Sequence, residues 1–299
     1  MTLLVIGGTG FFGKSILDFY LRNRLTSYNI TRIFIMSRNA DNLVEHHKDL
    51  ISDSIVLINS DIMTCDKLPN ADIVVYAATS TDESNYSDSN PNLQINNNRR
   101  ILNFCRLASK FCKNSKIIYC SSGAVYGKQP DNIERISENL KFQDISKMDT
   151  YKKNYALSKR FDEDRIIELG KQKIKVSIAR CFTFYGKYLP KQKQFAIGNF
   201  IHSAENGLPI VVNTNKLVYR TYLHADKMVD SLFKIVQNSS FNCPIYNVGS
   251  SRVKEIRTVA KIIGRIYDVP VLFNCQIDNV NPDLYIPNVD KLKKLNFSF

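Results

Sequence analysis

The chain has 299 residues, of which 44% are hydrophobic and 23% are charged, and its formal net charge is +13 at pH 7. A chain of this length and composition can bury a sizeable core, either as one large domain or as a major domain with a smaller lobe. We therefore expect an ordinary globular protein.

The positive charge raises the question of nucleic-acid binding, because clustered lysines and arginines track phosphates. Here the basic residues are spread along the chain without interleaved aromatic stacking motifs. We therefore expect a solvated, lysine-rich surface and no nucleic-acid partner, and the same charge favours an anionic substrate.

The cysteines and the apolar segments bear on the compartment. The seven cysteines form no Cys-x-x-Cys pair, and an odd number in a chain this large does not make a disulfide framework. The N-terminus lacks a basic region and no stretch approaches ~18 uninterrupted apolar residues, so we predict neither a signal peptide nor a membrane span. The expected location is the reducing cytoplasm.

Apolar β-branched runs alternate with helix-period segments in the first part of the chain. The predicted buried strands are Leu3 to Ile6, Arg32 to Met36, Ile55 to Ile58, Ile73 to Tyr76, Ile117 to Cys120 and Val176 to Ala179. The predicted helices are Phe11 to Asn23, Asp41 to Leu50, Leu93 to Lys113 and Tyr151 to Gly170. This alternation predicts an α/β fold with a Rossmann-type doubly wound parallel sheet.

The rhythm changes after Arg180, which predicts a smaller C-terminal substrate-binding lobe. The predicted elements are helices near Phe195 to Asn206, Asp226 to Gln237 and Val253 to Tyr267, and strands around Ile210 to Val212, Val218 to Leu223 and Ile245 to Val248. We assign 1–180 to the nucleotide-binding domain, with 221–248 returning to it, and 181–220 and 249–299 to the lobe. The polar stretch Ser80 to Asn92 is predicted as a long loop at a strand's carboxyl end, where α/β sheets bind ligands.

The first predicted strand runs directly into a glycine-rich turn, Gly7-Gly8-Thr9-Gly10-Phe11-Phe12-Gly13. Glycines allow a tight turn and a close backbone approach, and the following helix points its first N–H groups at a pyrophosphate. A mere turn is the alternative, but the position between a strand and a helix favours a dinucleotide site.

The end of the second predicted strand bears on which dinucleotide binds. An NAD-binding chain places Asp or Glu there for the ribose 2′-hydroxyl, whereas this chain has Ser37 and Arg38. A guanidinium can pair with a 2′-phosphate through two hydrogen bonds, so the pattern favours NADPH. An ordinary surface arginine is the alternative.

Tyr155 and Lys159 are four residues apart on a predicted helix, which places both side chains on one face. A nearby ammonium favours the phenolate of a tyrosine, and such a pair can carry a proton to or from an alcohol oxygen. The spacing alone is common. Ser122 strengthens the hypothesis, because it lies in the run Tyr119 to Gly127 at the end of a predicted strand, where a hydroxyl can meet the substrate.

With these motifs the chain resembles the extended short-chain dehydrogenase/reductase family along nearly its full length. The resemblance implies Ser122, Tyr155 and Lys159 as the catalytic triad, with Ser121 as the alternative hydroxyl, and Lys159 also holding the cofactor ribose. The cofactor-binding residues that it implies are Gly7, Gly10, Phe11, Phe12, Gly13, Ser37, Arg38, Asp61, Ile62, Ala77, Ala78, Thr79, Tyr155 and Lys159. A turn-forming role explains Asp61 almost as well.

The resemblance also implies a substrate site for a nucleotide-sugar. Arg220 looks like the residue that clamps the pyrophosphate, with an exposed strand arginine as the alternative. Ser122 and Thr183 are the other implied substrate contacts, although the family often has Asn at the position of Thr183. Lys227 stands where an Asp is usual. We predict no metal, because His46 and His47 are adjacent and His202 has no partner at ligand spacing.

Within such a family, dehydratases, epimerases and ketoreductases all move a hydride between nicotinamide and a sugar carbon. The dehydratases follow the catalytic hydroxyl with Asp-Glu, whereas this chain has Gly123 and Ala124. Together with Ser37 and Arg38 this favours a reductase that consumes NADPH. The alternatives are an epimerase with retained NAD and a non-catalytic NADP-binding sensor.

The resemblance also implies a possible homodimer, with its contact formed by the predicted helix at 93–113 and the predicted helix that carries Tyr155.

Overall fold

The structure, a computed structural model, describes residues 1–79, 86, 91–191, 195–278 and 281–295, and only the backbone of 91–97. The strands are β1 Thr2–Ile6, β2 Arg32–Ser37, β3 Ile55–Asn59, β4 Ile73–Tyr76, β5 Lys116–Ser122, β6 Lys175–Cys181, β7 Phe184–Tyr185, β8 Ile210–Val212, β9 Val218–Thr221, β10 Leu223–His224, β11 Ile245–Val248, β12 Val253–Glu255, β13 Val271–Phe273 and β14 Asp283–Tyr285. The helices are α1 Phe11–Leu21, α2 Asn42–His46, α3 Pro91–Phe111, α4 Thr150–Lys171, α5 Ala196–Glu205, α6 Ala225–Gln237, α7 Ile256–Tyr267 and α8 Asp290–Lys293. The predicted loop from Ser80 to Asn92 lies outside the described residues, apart from Tyr86 and the helical residues Pro91 and Asn92.

Seven of the strands in the described residues form one large parallel sheet in the order β3-β2-β1-β4-β5-β6-β11. The strand order reverses between β1 and β4, which is where a doubly wound sheet opens a crevice at the carboxyl ends of its strands. The glycine turn after β1, Thr79 after β4 and Ser122 at the end of β5 all lie at this edge. The predicted fold class is therefore confirmed.

Both faces of the large sheet are covered, so its strands are apolar on both sides. Side chains alternate between the faces along a strand. Leu3 and Val5 of β1 pack with the side of α1 and α6, whereas Leu4 and Ile6 pack with the side of α3 and α4. Ser177 and Arg180 are buried polar exceptions on β6, and both are hydrogen-bonded.

A separate apolar cluster lies in the later part of the chain. Helices α5 and α7 pack on the two-stranded β13-β8 sheet, and β12-β9-β14 forms a further small sheet. Strand β9 carries Arg220 and β14 carries Tyr285, so this small sheet presents both residues together. The division of the chain into two domains stays a prediction.

Two predicted helices differ from the observed elements. The helix from Asp41 to Leu50 ends at His46, because His47 takes a non-helical conformation and sets its ring against Tyr188, with 5.7 Å between the ring centroids. A single 3₁₀ turn follows. The helix predicted from Val253 begins at Ile256, because 253–255 pair with β9 and Glu255 caps α7 by accepting from the N–H groups of Arg257 and Thr258.

None of the helices in the described ranges is long and apolar enough to cross a membrane. Within those same ranges no three His, Cys, Asp or Glu side chains are grouped as a metal site would require.

Candidate active site

The glycine turn after β1 has the shape of a phosphate cradle. Gly7 adopts a φ of +84°, and a Cβ there would lie 2.7 Å from the backbone of Ala77 and Ala78. A Cβ on Gly13 would lie 2.0 Å from the Gly8 carbonyl oxygen, so α1 packs directly on the turn. Gly10 begins α1 without a side-chain cap, which leaves the first N–H groups of the helix for an anion.

The two phenylalanines of the turn serve packing. Phe11 stacks on Phe184 with 6.4 Å between ring centroids, and Phe12 meets the same ring edge-on at 5.9 Å. Their backbone N–H groups, and not their rings, are therefore the parts that can bind a pyrophosphate. The residues present fit a dinucleotide cofactor.

Ser37 and Arg38 lie at the end of β2 beside this turn. The Ser37 hydroxyl is 2.9 Å from the Thr9 hydroxyl, and Arg38 is exposed, with no hydrogen-bond or ion-pair partner among the residues that the structure describes. The nearby acid, Asp41, is hydrogen-bonded to the side chain of Asn59 at the end of β3. The guanidinium is thus available to an added phosphate.

The structure places the pair Asp61 and Ile62 after β3. One carboxylate oxygen of Asp61 accepts from the N–H of Met63 at 2.9 Å, which is the turn-forming role. Ile62 is buried, and its carbonyl accepts from Asn103 of α3. Contact of this pair with adenine stays a prediction.

Two phenols converge on Ser122. The hydroxyls of Tyr155, on α4, and Tyr285, on β14, both lie near the Ser122 side chain, which lowers the pKa of each phenol. Ser122 also accepts from the N–H of Ala124 at 3.2 Å. Ser121 is buried and donates to Glu163 at 2.6 Å, so Ser122 is the hydroxyl of the pair that faces the phenols.

The surroundings of Tyr155 correct one expectation. Burial raises the pKa of Tyr155 well above its ordinary value, and the neighbouring phenol of Tyr86 raises it further. Rings of Tyr86 and Tyr151 lie 5.2 and 6.1 Å from that of Tyr155. The ammonium of Lys159 was expected to favour the phenolate, but its hydrogen bonds go elsewhere.

Lys159 is buried, and its three ammonium protons are all engaged. Nζ donates to the Thr79 hydroxyl at 2.9 Å, to the Tyr119 hydroxyl at 3.0 Å and to the Cys120 carbonyl at 2.9 Å. Burial lowers the pKa of Lys159. The structure therefore brings Lys159 together with Thr79, one of the predicted cofactor residues.

Arg220 lies near the same centre but is held by Asp283 of β14. It donates to the side chain of Asp283 at 2.9 Å and to the carbonyl of Asp283 at 2.8 Å, and its side chain is 23% exposed. Its guanidinium lies 5.8 Å from the centre of the Tyr285 ring. Thr183 is half-buried between β6 and β7. Roles for Arg220 and Thr183 toward a nucleotide-sugar stay predictions.

Tyr285 is a site residue that the sequence analysis missed. Its ring packs on Phe182 with centroids 4.6 Å apart, and its hydroxyl lies 2.5 Å from where a Cβ of Gly123 would be. It comes from a three-residue strand far along the chain, paired with β9. The short polar and proline-flanked segment around it carries no signal that it returns to Ser122.

Comparisons with known proteins bear on the family and the fold of the chain. The sequence profile of the NAD dependent epimerase/dehydratase family matches residues 3–249. The bifunctional polymyxin resistance protein ArnA of Wigglesworthia glossinidia brevipalpis is 24% identical over 267 residues, which cover 83% of this chain and 38% of the relative. The chain therefore spans well under half the length of that relative.

Solved structures of similar fold include two epimerases and a dehydratase. The UDP-N-acetylglucosamine 4-epimerase of Methanobrevibacter ruminantium matches with a TM-score of 0.81 at 19% identity, over 99% of this chain and 92% of that one. The UDP-glucuronic acid 4-epimerase of Bacillus cereus gives 0.79 at 17% identity, with the same coverage of 99% and 92%. The dTDP-glucose 4,6-dehydratase of Bacillus anthracis gives 0.77 at 18%, over 98% and 89%.

Identities this low show a shared fold, whereas the profile match covers most of the chain and shows the family. The resemblance to the extended short-chain dehydrogenase/reductases is confirmed at that level, and the chain belongs to the NAD dependent epimerase/dehydratase family.

Proposed function

We propose that this chain is an NADPH-dependent oxidoreductase that reduces the 4-keto group of a nucleotide-activated deoxysugar. The observation that carries the proposal is the packing at Gly123. The Tyr285 hydroxyl and the Phe182 ring occupy the space beside Gly123, with the ring 2.8 Å from where a Cβ would be. An acidic side chain of the dehydratase type has no room there while Tyr285 is in place.

The state of Tyr155 suits the direction of reduction. Because burial raises its pKa, Tyr155 is a protonated phenol at neutral pH, and a ketone that receives a hydride needs a proton on its oxygen. Ser122, near Tyr155, holds and polarises the carbonyl. When bound, NADPH supplies the hydride.

The choice of NADPH rests on Arg38. Its exposed guanidinium stands at the end of β2, where an NAD-binding chain would carry an acid, and the acid nearby is engaged with Asn59. In this proposal Lys159 holds the ribose in exchange for its hydrogen bond to the Thr79 hydroxyl. A reductase needs a reduced cofactor on every turnover, and cells supply mainly NADPH for that purpose.

We propose CDP-4-keto-3,6-dideoxyglucose as the substrate and CDP-abequose as the product, a step in O-antigen synthesis for lipopolysaccharide. This rests on the overall resemblance of the chain to CDP-abequose synthase. The net charge of +13 favours an anionic substrate, and Arg220 is the proposed pyrophosphate contact. A cytoplasmic location and a homodimer formed through α3 and α4 belong to the same proposal.

Product analysis tests the proposal. The protein is mixed with NADPH and CDP-4-keto-3,6-dideoxyglucose, and the sugar nucleotide formed is identified by mass spectrometry and NMR. We expect a product two hydrogens heavier than the substrate, with a hydroxyl at carbon 4. Unchanged substrate, under conditions where the protein binds NADPH, would contradict the proposed reaction.

The two alternative functions give different results in the same assay. An epimerase interconverts two sugars of equal mass without net use of cofactor. A cofactor-binding sensor binds NADPH and forms no product, but the chain keeps Ser122, Tyr155 and Lys159 together, which argues against a silent site.

A further inference from the structure

Helix α4 buries a carboxylate that the proposed reaction does not use. Asp162 lies one turn after Lys159 and is 5% exposed. Its Oδ2 accepts a 2.6 Å hydrogen bond from the Tyr119 hydroxyl, while its Oδ1 has no partner among the described residues. A buried carboxylate with an unpaired oxygen is costly to the folded state, so packing alone does not account for Asp162.

Tyr119 connects this carboxylate to the catalytic lysine. Its hydroxyl donates to Asp162 and accepts from Lys159 Nζ at 3.0 Å. A hydroxyl has a single proton, so donation to Asp162 leaves the oxygen lone pairs for the ammonium. Burial and the charge of Asp162 raise the pKa of Tyr119 well above its ordinary value, so the bridge stays a phenol.

We propose that Asp162 and Tyr119 are a positioning pair that keeps the Lys159 ammonium charged and fixed at the active site. The inference deepens the proposed function and rests on it only in treating Lys159 as a member of the triad. Neither residue is proposed to touch substrate or cofactor.

The charges around Lys159 agree with this role. Burial lowers the pKa of Lys159, and Asp162 is the largest of the influences that raise it. Burial raises the pKa of Asp162 to about 6, so the carboxylate is charged at neutral pH. Several titratable and charged groups change the pKa of Asp162 or have their own pKa changed by it. They are Lys159 and Glu163 on α4, Tyr119 on β5, Arg100 and Cys105 on α3, Tyr76 on β4, and Tyr86. Of these, Lys159 has the largest effect on Asp162.

The test measures the pKa of Lys159 directly, in the protein without substrate. Lysine labelled with ¹³C at Cε is incorporated, the Lys159 resonance is assigned by its loss in Lys159→Arg, and its shift is followed against pH. In Asp162→Asn the amide oxygen can still accept from Tyr119, but the charge is gone. The Lys159 pKa should fall by about 1–3 pH units, the effect of removing a nearby opposite charge.

Two further variants make the result specific. Tyr119→Phe keeps the carboxylate and removes the bridging hydroxyl, so the Lys159 pKa should fall there too, and this variant decides the matter if Asp162→Asn does not fold. Asp164→Asn removes an exposed carboxylate from the same helix and should leave the Lys159 pKa unchanged. An unchanged Lys159 pKa in the folded Asp162→Asn and Tyr119→Phe variants would overturn the inference.

The wild-type protein offers a second readout. Because the pKa of Asp162 is raised to about 6, the Lys159 resonance should show a small second inflection near that pH, which Asp162→Asn abolishes. None of these measurements uses a sugar nucleotide. A failure of the keto-sugar assay would therefore leave them intact, and an unchanged Lys159 pKa would leave the proposed reduction intact.

Discussion

At the residue scale, the chemistry of this site turns on protonation. Ser122 lies near two phenols, and burial raises the pKa of both Tyr155 and Tyr285. The centre therefore offers proton donors, and no carboxylate among the described residues is hydrogen-bonded to Ser122. A developing alkoxide would find a donor in place. Such a centre suits the delivery of a proton to a ketone oxygen.

The first prediction concerns Tyr155. Replacing it with Phe keeps an aromatic ring packed against Tyr86 and Tyr151 but removes the proposed proton donor. Turnover should therefore fall by about 10²-fold or more. NADPH binding and the circular dichroism spectrum should stay the same. Near-normal turnover in Tyr155→Phe would remove Tyr155 from the mechanism.

The second prediction concerns Arg38. If its guanidinium binds the 2′-phosphate, Arg38→Ala should weaken NADPH binding by about 1.5–3 kcal/mol and leave NADH binding almost unchanged. Arg32, exposed at the opposite end of β2, is the matched control, and Arg32→Ala should alter neither affinity. Equal loss for the two cofactors, measured by fluorescence titration, would show that Arg38 does not read the phosphate.

At the element scale, the site is assembled where β5 ends against β14. The sequence predicted β5 and placed Ser122 in the run Tyr119 to Gly127 at its end, because a buried apolar run is a local signal. It did not predict that β14 returns Tyr285 to Ser122. That contact depends on the pairing of two short strands, β9 and β14, and local periodicity carries no information on such long-range pairing.

The third prediction tests this contact. In Gly123→Ala the new methyl group would overlap the Tyr285 hydroxyl and the edge of the Phe182 ring, so we expect a loss of about 1–3 kcal/mol in unfolding free energy, as in other overpacked sites. Removing the hydroxyl with Tyr285→Phe should make the added methyl group less costly. Denaturant unfolding of both single variants and the double variant measures this coupling. Strictly additive effects would show that Tyr285 does not fill the space beside Gly123.

For the molecule as a whole, the sequence predicted the fold but not the pKa values of the buried site residues. Alternating strands and helices determine a parallel sheet, and the glycine turn marks the predicted dinucleotide site. The direction of the Tyr155 pKa was expected wrongly, because the spacing to Lys159 is local while the burial of both side chains is a property of the assembled protein. The sequence carries no motif that marks Asp162, because its contact with Tyr119 forms only when α4 packs on the sheet.

We propose a net reduction as the reaction of this member of the family. An epimerase must keep its reduced cofactor bound, because its loss would strand the keto intermediate, whereas a reductase releases NADP⁺ and takes up fresh NADPH on every turnover. The direct measurement follows NADPH absorbance against product formed, with CDP-4-keto-3,6-dideoxyglucose in large excess over protein. We expect the protein to consume one NADPH for each 4-hydroxy sugar that it forms, through many turnovers. Interconversion of sugar nucleotides without added cofactor and without net loss of NADPH would contradict it.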